Sequence, residues 1–182
     1  AGTFDQTTRG AVISSRWIGT ASVALTYCRK RNCRVSVKRC IAILDDNEER
    51  IIEMQRVLAD KFPFFDCHFS RTAPEQIAWL QEHGASAICW CLDHDLEPPA
   101  SHPTCDPGTG RDVVEFLIGG EAAFPVIVHT TNAHAGLAMM GLLNERRWPA
   151  IRVMPYEDLQ WIAEAWLPAV RQAIVDAAGD FP

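Results

Sequence analysis

Three short polar clusters, each closing an apolar run, hold the chemistry of this 182-residue chain. Cys40 to Leu44 ends in Asp45-Asp46-Asn47. Ala87 to Leu92 ends in Asp93-His94-Asp95, and Pro125 to Val128 ends in His129-Thr130-Thr131-Asn132. Asp45, Asp46 and Asp93 around one hole would suit a hard divalent ion that keeps several waters, namely Mg²⁺. A phosphoryl group could share that ion, with Thr130 hydrogen-bonding one of its oxygens. A turn with hydrogen-bonding Asp side chains explains one such cluster. It does not explain why a second acidic pair ends another apolar run.

The clusters meet only if the elements before them are neighbouring strands. Ala87 to Leu92 is apolar on both faces, as in a strand buried mid-way through a parallel sheet. Such a strand delivers its last residues to the carboxyl edge of the sheet, where ligands bind in open α/β folds. The other elements repeat this plan. Val35 to Leu44 contains the first strand. Asp46 or Asn47 caps a helix whose expected apolar face of Ile51, Ile52, Met54, Val57 and Leu58 runs to Phe62. Phe65 to Phe69 is a second strand. Thr72-Ala73-Pro74-Glu75 starts a helix that ends at Gly84. After the third strand comes a loop from Asp93 to Gly108, longer than most loops of its kind. A helix from Gly110 closes at Gly119-Gly120, Pro125 to Val128 is the fourth strand, and Ala133 to Asn144 is the fourth helix. Ile151 to Met154 is the fifth strand. A last helix runs from about Asp158 to Ala178, with a kink expected at Pro168. Five alternations predict an α/β fold with a five-stranded parallel sheet covered on both faces. Right-handed crossovers leave few orders, and the flavodoxin-like, CheY-like order 2-1-3-4-5 sets strands one, three and four side by side.

Composition fits a globular domain, with 48% hydrophobic and 22% charged residues. The net charge of −6 argues against nucleic acid as the main partner. Charge is unevenly spread: residues 1–40 hold eight Lys or Arg against one acid, Asp5. Residues 1–34 show no apolar period and are expected to form a basic, poorly ordered leader to a domain at 35–182. A nucleic-acid arm at Arg29 to Arg34 is the alternative for that stretch. Seven cysteines without a C-x-x-C suggest a reducing, cytoplasmic compartment. No apolar run of membrane-spanning length exists, Gly10 to Tyr27 being interrupted by Arg16, so no membrane partner is expected.

The residues at the strand ends resemble the receiver domain of bacterial response regulators. In that family an acidic pair follows strand one, a phosphate-accepting aspartate ends strand three, and a Thr or Ser ends strand four. A lysine followed by proline ends strand five. Asp45 and Asp46 match the pair, Asp93 the acceptor, Thr130 the hydroxyl and Pro155 the proline. The lysine position holds Met154, which removes the usual cation beside a phosphoryl group. The departures are themselves similar to the variants called cyclic-phosphate processing receiver domains: Leu92-Asp93-His94-Asp95-Leu96, Thr109-Gly110-Arg111-Asp112-Val113, and His129 to Asn132 with Gly136 and Met139 downstream. The resemblance covers roughly residues 40 to 157. It implies a small phosphorylated or cyclic-phosphate ligand, such as those released in RNA repair, and partner proteins of RNA repair or signalling. It implies Mg²⁺ or Mn²⁺ on Asp45, Asp46 and Asp93. Opening a cyclic phosphate needs a metal to neutralise it, a base for water and an acid for the leaving oxygen. His129 and His94 are candidates for base and acid, with Asp93 between them. Thr130, Asn132 and Asp95 are candidates to bind or orient the ligand. The rival reading is a stand-alone receiver in phosphorelay signalling, or a non-enzymatic adaptor.

Overall fold

In the computed structural model, residues 39–156 and 158–179 are described. The leader expected at 1–34 lies outside the described residues. Strands β1 (Cys40–Leu44), β2 (Asp66–Ser70), β3 (Ala87–Leu92), β4 (Val126–His129) and β5 (Ala150–Val153) form one sheet in the order β2-β1-β3-β4-β5. Every pairing is parallel. The fold class expected from the alternation is therefore the one observed. The fifth strand begins one residue earlier than expected and leaves Met154 outside it, half exposed.

Side chains alternate across a strand, so odd and even positions serve different layers. Ile41, Ile43, Cys89, Cys91 and Ile127 face a core shared with Met54, Val57 and Leu58 of α1 (Glu48–Lys61) and with Trp166 and Val170 of the C-terminal helix. Ala42, Leu44, Trp90, Leu92, Val126 and Val128 face the opposite core. That layer comprises α2 (Ala73–His83), α3 (Gly110–Leu117) and α4 (Ala133–Glu145). The local signals act as the sequence suggests. Asn47 Oδ1 accepts from the Arg50 N–H, and Thr72 accepts from Glu75 N. Thr109 and Asp112 form a reciprocal capping box. Among the described residues no helix is long and apolar enough to cross a membrane.

The last helix departs from expectation. A π turn spans Ile162–Trp166 before α5 (Leu167–Gly179), and Leu167 N–H donates to the Ile162 carbonyl five residues back. The turn ends just before Pro168, which has no N–H with which to continue an α ladder. Residues five apart in an α-helix stand about 140° apart round its axis. The wider turn brings Trp161 and Trp166 towards one side, and both rings reach His129.

Ile43 is fully buried in β1, between β2 and β3, whereas Ile52, expected on the apolar face of α1, is exposed. Ile43→Ala should cost about 2–5 kcal/mol, read in urea as a lower midpoint at unchanged slope. Ile52→Ala should stay within about 0.5 kcal/mol. Equal losses at the two positions would contradict this layering.

Candidate functional site

Register and parity together assemble the site. Leu44 pairs with Leu92, and Leu92 pairs with Val128. The next residue of each strand, Asp45, Asp93 and His129, therefore falls in one row across β1, β3 and β4. All three have odd parity and point to the layer of α1 and α5. The ladder runs on past the strand ends: Asp45 N donates to Ser70 O at 3.1 Å, and Asp93 N to Leu44 O at 2.9 Å. Asp45 and Asp93 are buried and Asp46 is partly so. One oxygen of each lies within 4.8 Å of the others, as a metal-binding triad requires.

A cation already stands among them. Arg50 Nη2 is 2.6 Å from Asp93 Oδ2, 3.1 Å from Asp45 Oδ1 and 3.7 Å from Asp46 Oδ1. Arg50 sits four residues after Asp46, in the first turn of α1, which aims its side chain back over the strand ends. The remaining lone pairs are served by the backbone. Asp45 Oδ1 accepts from Asn47 N at 2.9 Å, Asp93 Oδ1 from His94 N at 2.7 Å, and Asp46 Oδ2 from Glu97 N at 2.8 Å. Burial pushes the Asp46 carboxyl above its ordinary value; the Glu97 N–H opposes this, and the charges of Asp45 and Asp93 add to it. Carboxylate oxygens are the donors a hard divalent ion takes. The triad fits such an ion, and Arg50 Nη2 marks the point where positive charge is held.

His129 lies behind this group. Its side chain is fully buried, with Nε2 3.2 Å from Asp45 Oδ2. The ring stacks on Trp161 with centroids 6.0 Å apart and meets Trp166 edge-on at 6.5 Å. This imidazole, expected to move protons, is fully buried, and the partner of its Nε2 is the Asp45 carboxylate. Thr130 is also fully buried, and its Oγ1 accepts from Asn132 N at 3.2 Å. Its hydroxyl shapes the start of α4. Asn132 caps that helix through Oδ1 and donates through Nδ2 to Asp95 Oδ1 at 3.3 Å. His94 Nε2 is 3.8 Å from the same Asp95 oxygen. His94, Asp95 and Asn132 thus form a second polar group beside the carboxylates.

A pocket of about 570 Å³ opens between the two groups, lined by Asp46, Glu48, Arg50, Asp95, Glu97 and Thr109 among others. The long loop after β3 is pinned at both ends. Gly110 N donates to His94 O at 3.1 Å, and Ala73 N to Pro107 O at 2.8 Å. Helix α3 approaches so closely that a Cβ on Gly110 would lie 1.9 Å from the Asp93 carbonyl oxygen. Only glycine allows that approach.

Two functional cations escaped the sequence reading. Arg50 carried a signal, an acid and an arginine at i, i+4 on a helix start. Arg152, on β5, carried less. Its Nη2 donates to Thr130 O at 2.7 Å, and its Nη1 to Val128 O and Val153 O at 3.3 and 3.2 Å. Gly136 leaves it room, since a Cβ there would meet the guanidinium at 2.3 Å. Burial lowers the Arg152 pKa, and the Asp93 charge opposes that shift. Positive charge thus reaches Asp93 from Arg50 and Arg152, although Met154 stands at the expected lysine position.

Comparison with known proteins identifies the family and the fold. The sequence model of the family described as cyclic-phosphate processing receiver domain matches residues 40–145. No curated protein matches the chain. Among solved structures, a CheY-like response regulator receiver domain protein from Methanospirillum hungatei is similar with a TM-score of 0.55 at 15% identity, over 76% of this chain and 98% of that one. The Mn²⁺-bound form of the response regulator Rcp1 is similar with a TM-score of 0.53 at 20% identity, over 71% and 94%. The response regulator domain of CheB from Thermotoga maritima gives 0.52 at 15%, over 75% and 96%. At these identities the structures establish the fold.

Two glycines separate site architecture from general helix chemistry. Gly110→Ala should destabilise by about 1–3 kcal/mol or more, because the Asp93-His94 backbone must give way. Gly141→Ala, inside α4 with nothing within 4 Å of the added methyl, should stabilise by about 0.5–1 kcal/mol. Thermal melting of both variants checks this; stabilisation by Gly110→Ala would contradict the close approach.

Proposed function

The chain belongs to the cyclic-phosphate processing receiver family, and on that premise we propose that it binds a divalent metal with a small phosphorylated ligand and hydrolyses a cyclic phosphate. The observation that carries this reading is the carboxylate triad at the edge of an open pocket. Asp45, Asp46 and Asp93 would hold Mg²⁺ or Mn²⁺, which when bound supplies positive charge to a phosphate and lowers the pKa of water. The Mn²⁺-bound response regulator Rcp1 shares the fold. His129 holds Asp45 in place from behind. His94, whose neighbour Asp95 lines the pocket, would move the protons. Asn132 fixes Asp95, and Thr130 fixes Asn132. In the reaction a water oxygen forms a bond to phosphorus and one ring P–O bond breaks. His94 would take one proton from the water and return it to the departing oxygen, leaving a phosphate monoester.

The ligand class is a small cyclic phosphate. Proteins of RNA repair or signalling are proposed as partners, and nucleic acid is not the main one. A reducing cytoplasm suits the free Cys89 and Cys91 thiols buried in β3. One observation favours a second reading, phosphoryl transfer to Asp93 in a signalling receiver or adaptor. Arg152 brings positive charge towards Asp93 from β5.

Phosphorus NMR on 2′,3′- and 1″,2″-cyclic phosphates with Mg²⁺ or Mn²⁺ should show ring opening by the wild type. His94→Ala should slow it by about 10²–10⁴. His129→Gln should act differently, weakening metal affinity by about 10–100-fold, as loss of a group that orients a ligand does. Intact mass after acetyl phosphate treatment separates the readings. A long-lived phosphoryl group on Asp93, with no ring opening, would favour the signalling receiver.

A further inference from the structure

We propose that Arg50 is a resident cation which a divalent metal must displace, and that the displaced guanidinium then anchors the phosphate. The inference rests on the metal reading above. Nη2 of Arg50 alone contacts all three carboxylates of the triad. Its Nε is buried without a hydrogen-bond partner. The guanidinium is therefore held by one corner. It lacks the paired, parallel contacts that lock arginine on carboxylates and that a phosphate can offer instead.

Charge makes the exchange necessary. Three carboxylates and one guanidinium leave a local excess of two negative charges. The pocket in front of them is no friendlier to an anion. Asp46, Glu48, Asp95 and Glu97 line it, and Arg50 is the only cationic residue of that lining. Arg71 pairs with Glu48 and donates to Asp46 O, which relieves part of this excess from outside. A phosphate entering the metal-free pocket would meet net negative charge, with Arg50 already engaged. A divalent ion on the triad changes both terms. It supplies two charges where Nη2 now supplies one, and it repels Arg50 into the pocket that its side chain already lines. Arg50 is rooted in the first turn of α1 by its N–H to Asn47 Oδ1. Only the side chain moves, and the path does not cross the core. The order of events follows: metal first, phosphate second, with Arg50 passing from the triad to the ligand.

The test is Arg50→Gln measured in two titrations with opposite expected signs. Calorimetry with Mn²⁺ alone should show the variant binding tenfold or more tightly than the wild type, since no guanidinium competes. Inorganic phosphate added to the Mn²⁺-saturated proteins should bind the variant tenfold or more weakly. Arg50→Lys should recover part of the phosphate affinity, and it carries the same comparison if Arg50→Gln does not fold. Weakening of both ligands together would mean that Arg50 only holds the carboxylates in place, and would overturn the proposal. Mn²⁺ bound equally by wild type and variant would overturn the displacement while leaving the metal reading intact. A wild type that binds no Mn²⁺ would end both.

Discussion

Three carboxylates within 4.8 Å of one another cannot share the edge of a sheet without a compensating cation. Most of what is distinctive in this molecule answers that constraint. Arg50 reaches back from α1 to touch all three, and backbone N–H groups of Asn47, His94 and Glu97 take up remaining lone pairs. His129 closes the rear of Asp45, and two tryptophans close the rear of His129. The π turn before Pro168 belongs to the same chain of causes, because it brings Trp161 and Trp166 to one imidazole. Removing one member of such a buried group costs more than the pair was worth, since its partners are left charged and unpaired.

The sheet was legible in the sequence because its signals are local. Apolar runs of strand length, capping residues such as Thr72 and Thr109, and a polar cluster after each central strand all appear in the chain order. The strand order followed from alternation and crossover handedness. Even the row of Asp45, Asp93 and His129 was implicit, because each closes an apolar strand and shares its parity. What the sequence could not supply was depth. A histidine at a strand end reads alike whether it faces solvent or lies against two indoles 32 and 37 residues further along the chain. The deciding contacts come from Trp161 and Trp166 on the last helix, and their common orientation depends on a π turn that no periodicity announced.

The cations were missed for a related reason. The receiver motif sets its cation at one position after β5, and that position holds Met154 here. Arg50 stands in α1, a helix whose sequence is marked by its apolar face of Ile51, Met54 and Val57. Arg152 lies on the edge strand β5. Yet its guanidinium collects three carbonyl oxygens and sits over Gly136. Charge balance at a site is a sum over elements, whereas a motif is read along one. The same view explains how the family can differ from ordinary receivers in its signature residues and keep the fold. Asp93 remains where an acceptor would be, but its surroundings of Arg50, His94 and the Gly110 approach are those of a compact polar pocket.

The most direct measurement is the anomalous scattering of Mn²⁺ in crystals of the protein. The account predicts one strong peak at the carboxyl edge of the sheet, about 2.0–2.3 Å from oxygens of Asp45, Asp46 and Asp93, with the rest of its coordination completed by water. A Mn²⁺-soaked crystal with no peak there, and with Arg50 still seated among the three carboxylates, would contradict it.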